Sequence, residues 1–352
     1  MTKPTLLFAT ALLSSAALFA ADTPETLIEA GHFKKARSLV QAGLTRNPND
    51  AHALYNMSRI KRAFGDKEAA IDLAQQAVKL DAKNSDYHCQ VAELNGEKAQ
   101  TAGMFQQIRL ARVMKNEGET ALSLNPKNAE CLSAMVTFYL EAPGIVGGDK
   151  QKAREFIDRL LTLDSVEGNF AQVEYAQHEK QMDKIEGFYL KAVEGNPLSY
   201  RAHSALGSFY LNEKKFDLAA RHAREALKID PFEGAAYALL AAVYANQERW
   251  KELDAILDQA EAKVPDDLNP TFQAGRTLLL AGKDLPRAER YFRKYLTPEP
   301  EGGTPPLWAA HWRLGLVLEK EGRKPEAVSE IQSALSINPD FEPAKKDLKR
   351  LK

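Results

Sequence analysis

Residues 200–233 read YRAHSALGSFYLNEKKFDLAARHAREALKIDPFE. Leu206, Gly207 and Tyr210 fall on one face of a first helix, and Ala219, Ala223 and Ala226 on one face of a second. Between them Asn212-Glu213-Lys214-Lys215 carries little apolar weight; Phe216 then returns to the core, and Pro231 stops the second helix. A helix pair with small residues at its crossing cannot bury its apolar face alone. It needs neighbours of the same kind, so the pattern should recur.

It recurs 34 residues later. Residues 234–267 place Leu240, Ala241, Tyr244, Trp250, Leu257, Ala260 and Pro265 at the same offsets. These positions resemble the tetratricopeptide repeat family, with a small residue and an aromatic in the first helix, alanines in the second and a closing proline. The resemblance implies an all-α, right-handed α-α superhelix. About nine helix-turn-helix repeats are expected, at 22–50, 51–84, 85–128, 129–165, 166–199, 200–233, 234–267, 268–302 and 308–341. Residues 342–352, with Ala344, Leu348 and Leu351 at helical spacing and lysines opposite, read as a capping helix that closes the last apolar face. The whole of 21–352 is then one solenoid.

Three places depart from the rhythm. Residues 85–128 are ten longer than the period, with the excess around Gly96 to Phe105, so the first helix is extended or the turn enlarged. Residues 129–165 carry a glycine-rich turn around Pro143 to Lys150. A linker, Glu301-Gly-Gly-Thr-Pro-Pro306, interrupts the chain before the last repeat.

The N-terminus differs in kind. Lys3 precedes an apolar, small-residue run from Leu6 to Ala20, and the first acidic residue is Asp22. That pattern reads as a signal peptide over residues 1–20, which places the mature chain in the periplasm or outside the cell, with no stable membrane insertion after cleavage. A net charge of −1 leaves no basic footprint for nucleic acid. The only two cysteines, Cys89 and Cys131, fall on first helices of neighbouring repeats, where either a disulfide or two buried thiols would fit.

In the family, first helices line a concave groove. The second, fifth, ninth and twelfth positions of each would face inward, which gives a graded surface here. Tyr55, Arg59 and Arg62 make a basic start, with the arginines solvated, paired with acids of the next repeat, or clasping a carboxylate. Asp86, Glu93, Glu130, Glu167 and Glu174 follow as an acidic middle. Ala235, Ala238, Ala242 and Ala245 leave room, and Phe272, Arg276, Leu279, Trp312 and Leu316 form an apolar end. That end is either an anchor site for a partner peptide or a surface covered by the cap or the linker.

Signatures of catalysis are missing. The turn at Pro143–Lys150 lacks the Gly-Lys-Ser/Thr ending and a preceding strand of a phosphate loop, and neither H-E-x-x-H nor G-x-S-x-G occurs. Glu174 and His178 are an isolated acid–His pair, too few ligands for a typical zinc site. The expectation is a non-enzymatic exported scaffold, without cofactor, that binds a protein or peptide in its groove. The alternative is a periplasmic small-ligand-binding protein associated with an uptake system, its cavity shaped by the enlarged repeats at 85–165.

Overall fold

The computed structural model describes residues 23–352; the expected signal peptide lies outside them. Among the described residues every regular element is a helix. They form nine consecutive pairs: α1 (Pro24–Glu29) with α2 (Phe33–Arg46), α3 (Ala51–Ala63) with α4 (Lys67–Leu80), α5 (Ser85–Ala99) with α6 (Met104–Leu124), α7 (Ala129–Glu141) with α8 (Lys150–Leu163), α9 (Ser165–His178) with α10 (Met182–Gly195), α11 (Tyr200–Asn212) with α12 (Phe216–Ile229), α13 (Gly234–Asn246) with α14 (Trp250–Lys263), α15 (Asn269–Ala281) with α16 (Leu285–Tyr295), and α17 (Leu307–Lys320) with α18 (Lys324–Ile337). A last helix, α19 (Glu342–Leu351), buries Ala344 and Leu351 against the final pair. The right-handed helical solenoid implied by the resemblance is the fold.

The local signals are periodic. Asp50, Asn84, Asn128, Asp164 and Ser199 each accept a backbone N–H of the first helix that follows them, which fixes where α3, α5, α7, α9 and α11 begin. Alanines stand where helices cross: Ala74, Ala153, Ala192, Ala223, Ala288 and Ala327 are all fully buried. At Gly207 even a methyl would force a neighbour to move, since a Cβ there would lie 2.5 Å from Leu239 Cδ2. Axes held this close bury a large share of each helix and leave little slack for rotation. From Leu206 to Leu351 the buried residues form one continuous core; the first half of the chain divides into smaller clusters.

The ten extra residues of the third pair fall elsewhere than the sequence suggests. Neither α5 nor the turn takes most of them: α5 has 15 residues against 13 in α3, whereas α6 has 21 against 14 in α4. The second helix simply starts two turns early. In the next pair, the glycine-rich segment forms a single 3-10 turn, Gly144–Val146, followed by Gly147 at φ 108°, a backbone conformation that favours glycine.

The apolar end of the expected groove is closed. Phe272 is 2% exposed and packs edge-on against Phe292 and beside Tyr295, with ring centroids 5.6 and 5.0 Å away. Leu279 is buried in the same core. The reason is α13, whose Ala238, Ala242 and Ala245 are buried because α15 lies along them. The alanines make room, as expected, and a neighbouring helix fills it. Trp312 is covered in part by the end of the chain: its ring meets Phe341 edge-on at 5.0 Å, and its Nε1–H donates to Asp347 of α19 at 2.8 Å. Leu316 is half-buried against this core, and Arg276 alone of the five is exposed.

The linker before the last pair is a structural joint rather than a pause. Glu301 Oε1 accepts the backbone N–H of Lys34, at the start of α2, and that of Gly302, each at 2.9 Å. Gly303 N–H donates to Ala63 O, at the end of α3, at 2.8 Å. Arg37 grips Glu299 with two parallel hydrogen bonds of 3.1 and 2.8 Å, and Lys34 pairs with Asp266 at 3.7 Å. The solenoid thus turns back on itself, and a carboxylate 267 positions away serves the first turn of α2. Burial pushes the Glu301 carboxyl above its ordinary range, against the pull of the two backbone N–H groups.

Three outcomes are expected. Glu301→Ala strands two backbone donors, at a cost of about 1–3 kcal/mol; melting temperature should fall and the radius of gyration in small-angle X-ray scattering should rise, whereas Arg37→Ala, which removes an exposed pair, should cost less than about 1 kcal/mol. Phe272→Ala should cost about 3–5 kcal/mol in denaturant unfolding, as for other buried aromatics. The third concerns His222, whose Nδ1 lies 3.1 Å from that of His203. Burial and the neighbouring His203 hold His222 down to about 4. Its folded pKa is below the unfolded value of about 6.5, so the stability it contributes is present above pH 6.5 and is lost as pH falls toward 4. The loss is at most about 1.4 kcal/mol per pH unit. Melting curves between pH 7 and 5 should show a drop that is smaller in His222→Gln.

Candidate functional site

The early start of α6 builds a cavity. Its first two turns carry Gln107 and Ala111 beside the first helices α5 and α7, and the open-sided space between them measures about 540 Å³. The apolar part of its lining is Met114, Phe138, Ala111, Ala134 and Pro143. Met114 reaches into place because residue 96 is glycine: a Cβ there would sit 2.5 Å from its sulfur. The polar part is acidic. Glu93 and Glu97 come from α5, Glu141 from the end of α7 and Glu174 from α9, with Ser133 and Thr137 between them.

A single cation, Arg62 of α3, stands at one side. Its Nε donates to Glu97 at 2.7 Å, and its guanidinium also pairs with Glu93. Burial works against the charge on Arg62, but Glu93 and Glu97 together hold it well above its ordinary range. Glu93 experiences the same burial with less help. Desolvation pushes its carboxyl up to about 7 against the pull of Arg62, and the charges of Glu130 and Glu97 push the same way. Burial also raises Glu174; Glu141 adds to the effect, while the Thr137 hydroxyl and His178 oppose it. Four carboxylates facing one guanidinium leave the cavity with an excess of negative charge. A cation arriving there would find Glu93 ready to lose its proton.

The sequence-derived candidates divide into three groups. Arg62, Glu93 and Glu174 meet at this cavity. Tyr55 and Arg59 do not: Tyr55 is 7% exposed, its ring stacks on Tyr87 with centroids 5.1 Å apart, and the Arg59 guanidinium lies 5.7 Å above its centroid. They belong to the joint between the second and third repeats. Phe272, Leu279 and Trp312 belong to the core and the cap. Cys89 and Cys131 are free, buried thiols in contact with each other; the contact with Cys131 and burial push the Cys89 thiol well above its ordinary range. The residues missed are Gln107, Ala111, Met114 and Phe138. The signal that could have found them is the ten-residue excess itself, since extra length beside a regular repeat has to be accommodated on one face. Among the described residues no cluster of three or more His, Cys, Asp or Glu could hold a metal ion, and no helix is long and apolar enough to cross a membrane.

Comparison with known proteins bears on the fold. Two family models described as tetratricopeptide repeat match, one over residues 27–92 and the other over 189–234 and 272–340. Comparison with curated proteins returns no match. Among solved structures, yeast Tom70 is similar with a TM-score of 0.50 at 12% identity, over 93% of this chain and 86% of that one. TTC0263 of Thermus thermophilus, a thermophilic TPR protein, aligns at 21% identity with a TM-score of 0.45, over 58% of this chain and 95% of its own. A tetratricopeptide repeat protein of Parabacteroides merdae aligns at 15% identity with a TM-score of 0.44, over 86% and 98%. Periodic sequence, helix pairing and family models agree, and the chain belongs to the tetratricopeptide repeat family.

Proposed function

We propose that the protein is an exported, non-catalytic scaffold that binds a protein or peptide partner on its first-helix face. The cavity between α5, α6, α7 and α9 anchors that partner. The observation that carries this reading is the cavity itself, made by a lengthened helix in the repeat that exceeds the period by ten residues. Tetratricopeptide repeats serve protein interaction in general, which supports a binding role over chemistry. The acid-lined wall and apolar floor favour a partner residue with an aliphatic stem and a positive head, a lysine or an arginine. Export rests on Lys3 and the apolar run from Leu6 to Ala20.

The same cavity also favours a second reading, a small-ligand carrier for an uptake system, because about 540 Å³ lies within the ordinary range of small-molecule sites. Two measurements separate them. Tagged protein recovered from the periplasm should carry a stoichiometric protein partner, should have the intact mass of a chain that starts at Ala21, and should lose the partner in Ala134→Trp, which fills the cavity, without a change in melting temperature. A small molecule retained in native mass spectrometry, and expelled by the same substitution, would replace the scaffold reading with the carrier. A partner that binds wild type and Ala134→Trp equally well would remove the cavity from either account.

A further inference from the structure

Two irregular stretches of the chain meet at the acidic cavity. One is the early start of α6; the other is the 3-10 turn Gly144–Val146 that follows α7. The turn packs against α6, and the cavity lining takes Gln107 from the first stretch and Pro143, just before the turn, from the second. Both stretches also carry large apolar side chains that nothing covers. Met104 is 66% exposed, Phe105 90% and Ile145 78%. Three of the five most exposed large apolar side chains among the described residues therefore stand on these two short segments.

Met104 ties this patch to the cavity. Residues 104, 107, 111 and 114 fall on one stripe of α6, and the last three line the cavity. The stripe runs from Met114 on the apolar floor, past Gln107, to Met104 outside the opening. Met104 to Gln107 are all exposed, so no neighbouring helix claims this end of α6. Apolar side chains left in water add nothing to the fold, but a partner that covers them gains in proportion to the area removed from water. Exposed apolar groups gathered beside a polar cleft mark an interaction surface, and an unbranched methionine adapts to what it meets.

We infer that Met104, Phe105 and Ile145 form an apolar rim to the cavity, and that the occupant is a polypeptide segment whose lysine or arginine is flanked by apolar residues. The cation enters among Glu97, Glu141 and Glu174, and its neighbours in the segment lie on the rim. This inference rests on the reading of the cavity as the partner's anchor and adds what surrounds the anchor. Charge complementarity selects the basic residue, and the rim selects the residues beside it. A small cation held in the cavity leaves the rim in water, so the rim sets a protein partner apart from a carried small ligand.

The test uses three fluorescein-labelled pentapeptides, titrated by anisotropy at low salt against the full mature chain. One has lysine between two leucines on each side, one has lysine between serines, and one has glutamine between leucines. Wild type should bind the leucine-flanked lysine about tenfold or more tighter than either of the others. Combined Met104→Ser, Phe105→Ser and Ile145→Ser should bring that peptide down to the level of the serine-flanked one, which should bind as before. The melting temperature should stay that of wild type, since exposed positions contribute little to stability. If it falls, Met104→Ser alone must still weaken the leucine-flanked lysine several-fold, or the inference falls. It is overturned if wild type binds the leucine-flanked lysine no tighter than the serine-flanked one, or does not bind it at all. It is also overturned if the triple variant binds all three peptides as wild type does. Ala134→Trp should abolish binding of both lysine peptides. If it does so while the rim variants change nothing, the rim falls and the cavity reading stands; if leucine-flanked glutamine matches lysine and Ala134→Trp has no effect, both fall.

Discussion

The close approach of paired helices at residues too small to separate them governs this molecule. With alanine or glycine at the crossing, each pair presents a flat apolar face that only another such pair can cover. Everything regular in the chain follows from satisfying that demand nine times over, then ending it with a helix that is apolar on one side only. The same demand explains why the expected apolar wall of the groove is absent. Small side chains on α13 do not leave a hollow; they let α15 settle against it, so Phe272 and Leu279 face protein.

The packing opens where the demand is relaxed. An α6 that starts two turns early keeps its neighbours from closing, and the opened space collects the inward acids of three repeats. At the other end packing is complete. At the opening, the side chains that could meet a partner are presented by a rigid apolar support. That division suits a surface whose shape is set by repetition and whose preferences are set by a few substitutions.

The repeat boundaries, the capping helix and the acidic stripe of Glu93 and Glu174 were legible because they are local: periodicity, caps and small residues are written within a few turns of one another. Pairing of Arg62 with acids of the next repeat was one of three readings the sequence left open, and the structure selects it with Glu93 and Glu97. Two features were not. The ten-residue excess was placed around Gly96 to Phe105 and assigned to the first helix or its turn, whereas Gly103 sits at the N-cap of α6 and Gly96 faces Met114. The linker Glu301–Pro306 read as an interruption because its partners, Lys34 and Ala63, lie nearly a whole chain away and leave no periodic trace.

The joint between Glu301 and the start of α2 also has a consequence in time. Elsewhere, contacts link neighbours in the chain, so helix pairs can form and dock in any order, and each step closes only a short loop. The pairing of Glu301 with Lys34 spans 267 residues and can form only when the intervening pairs already hold their curvature. Its closure therefore carries a larger entropic cost than that of a contact between adjacent pairs. It also gathers the accumulated rotation of many repeats at one seam, so a small error in the angle of any one pair would be felt by the contacts of Glu301, Gly303 and Arg37 together.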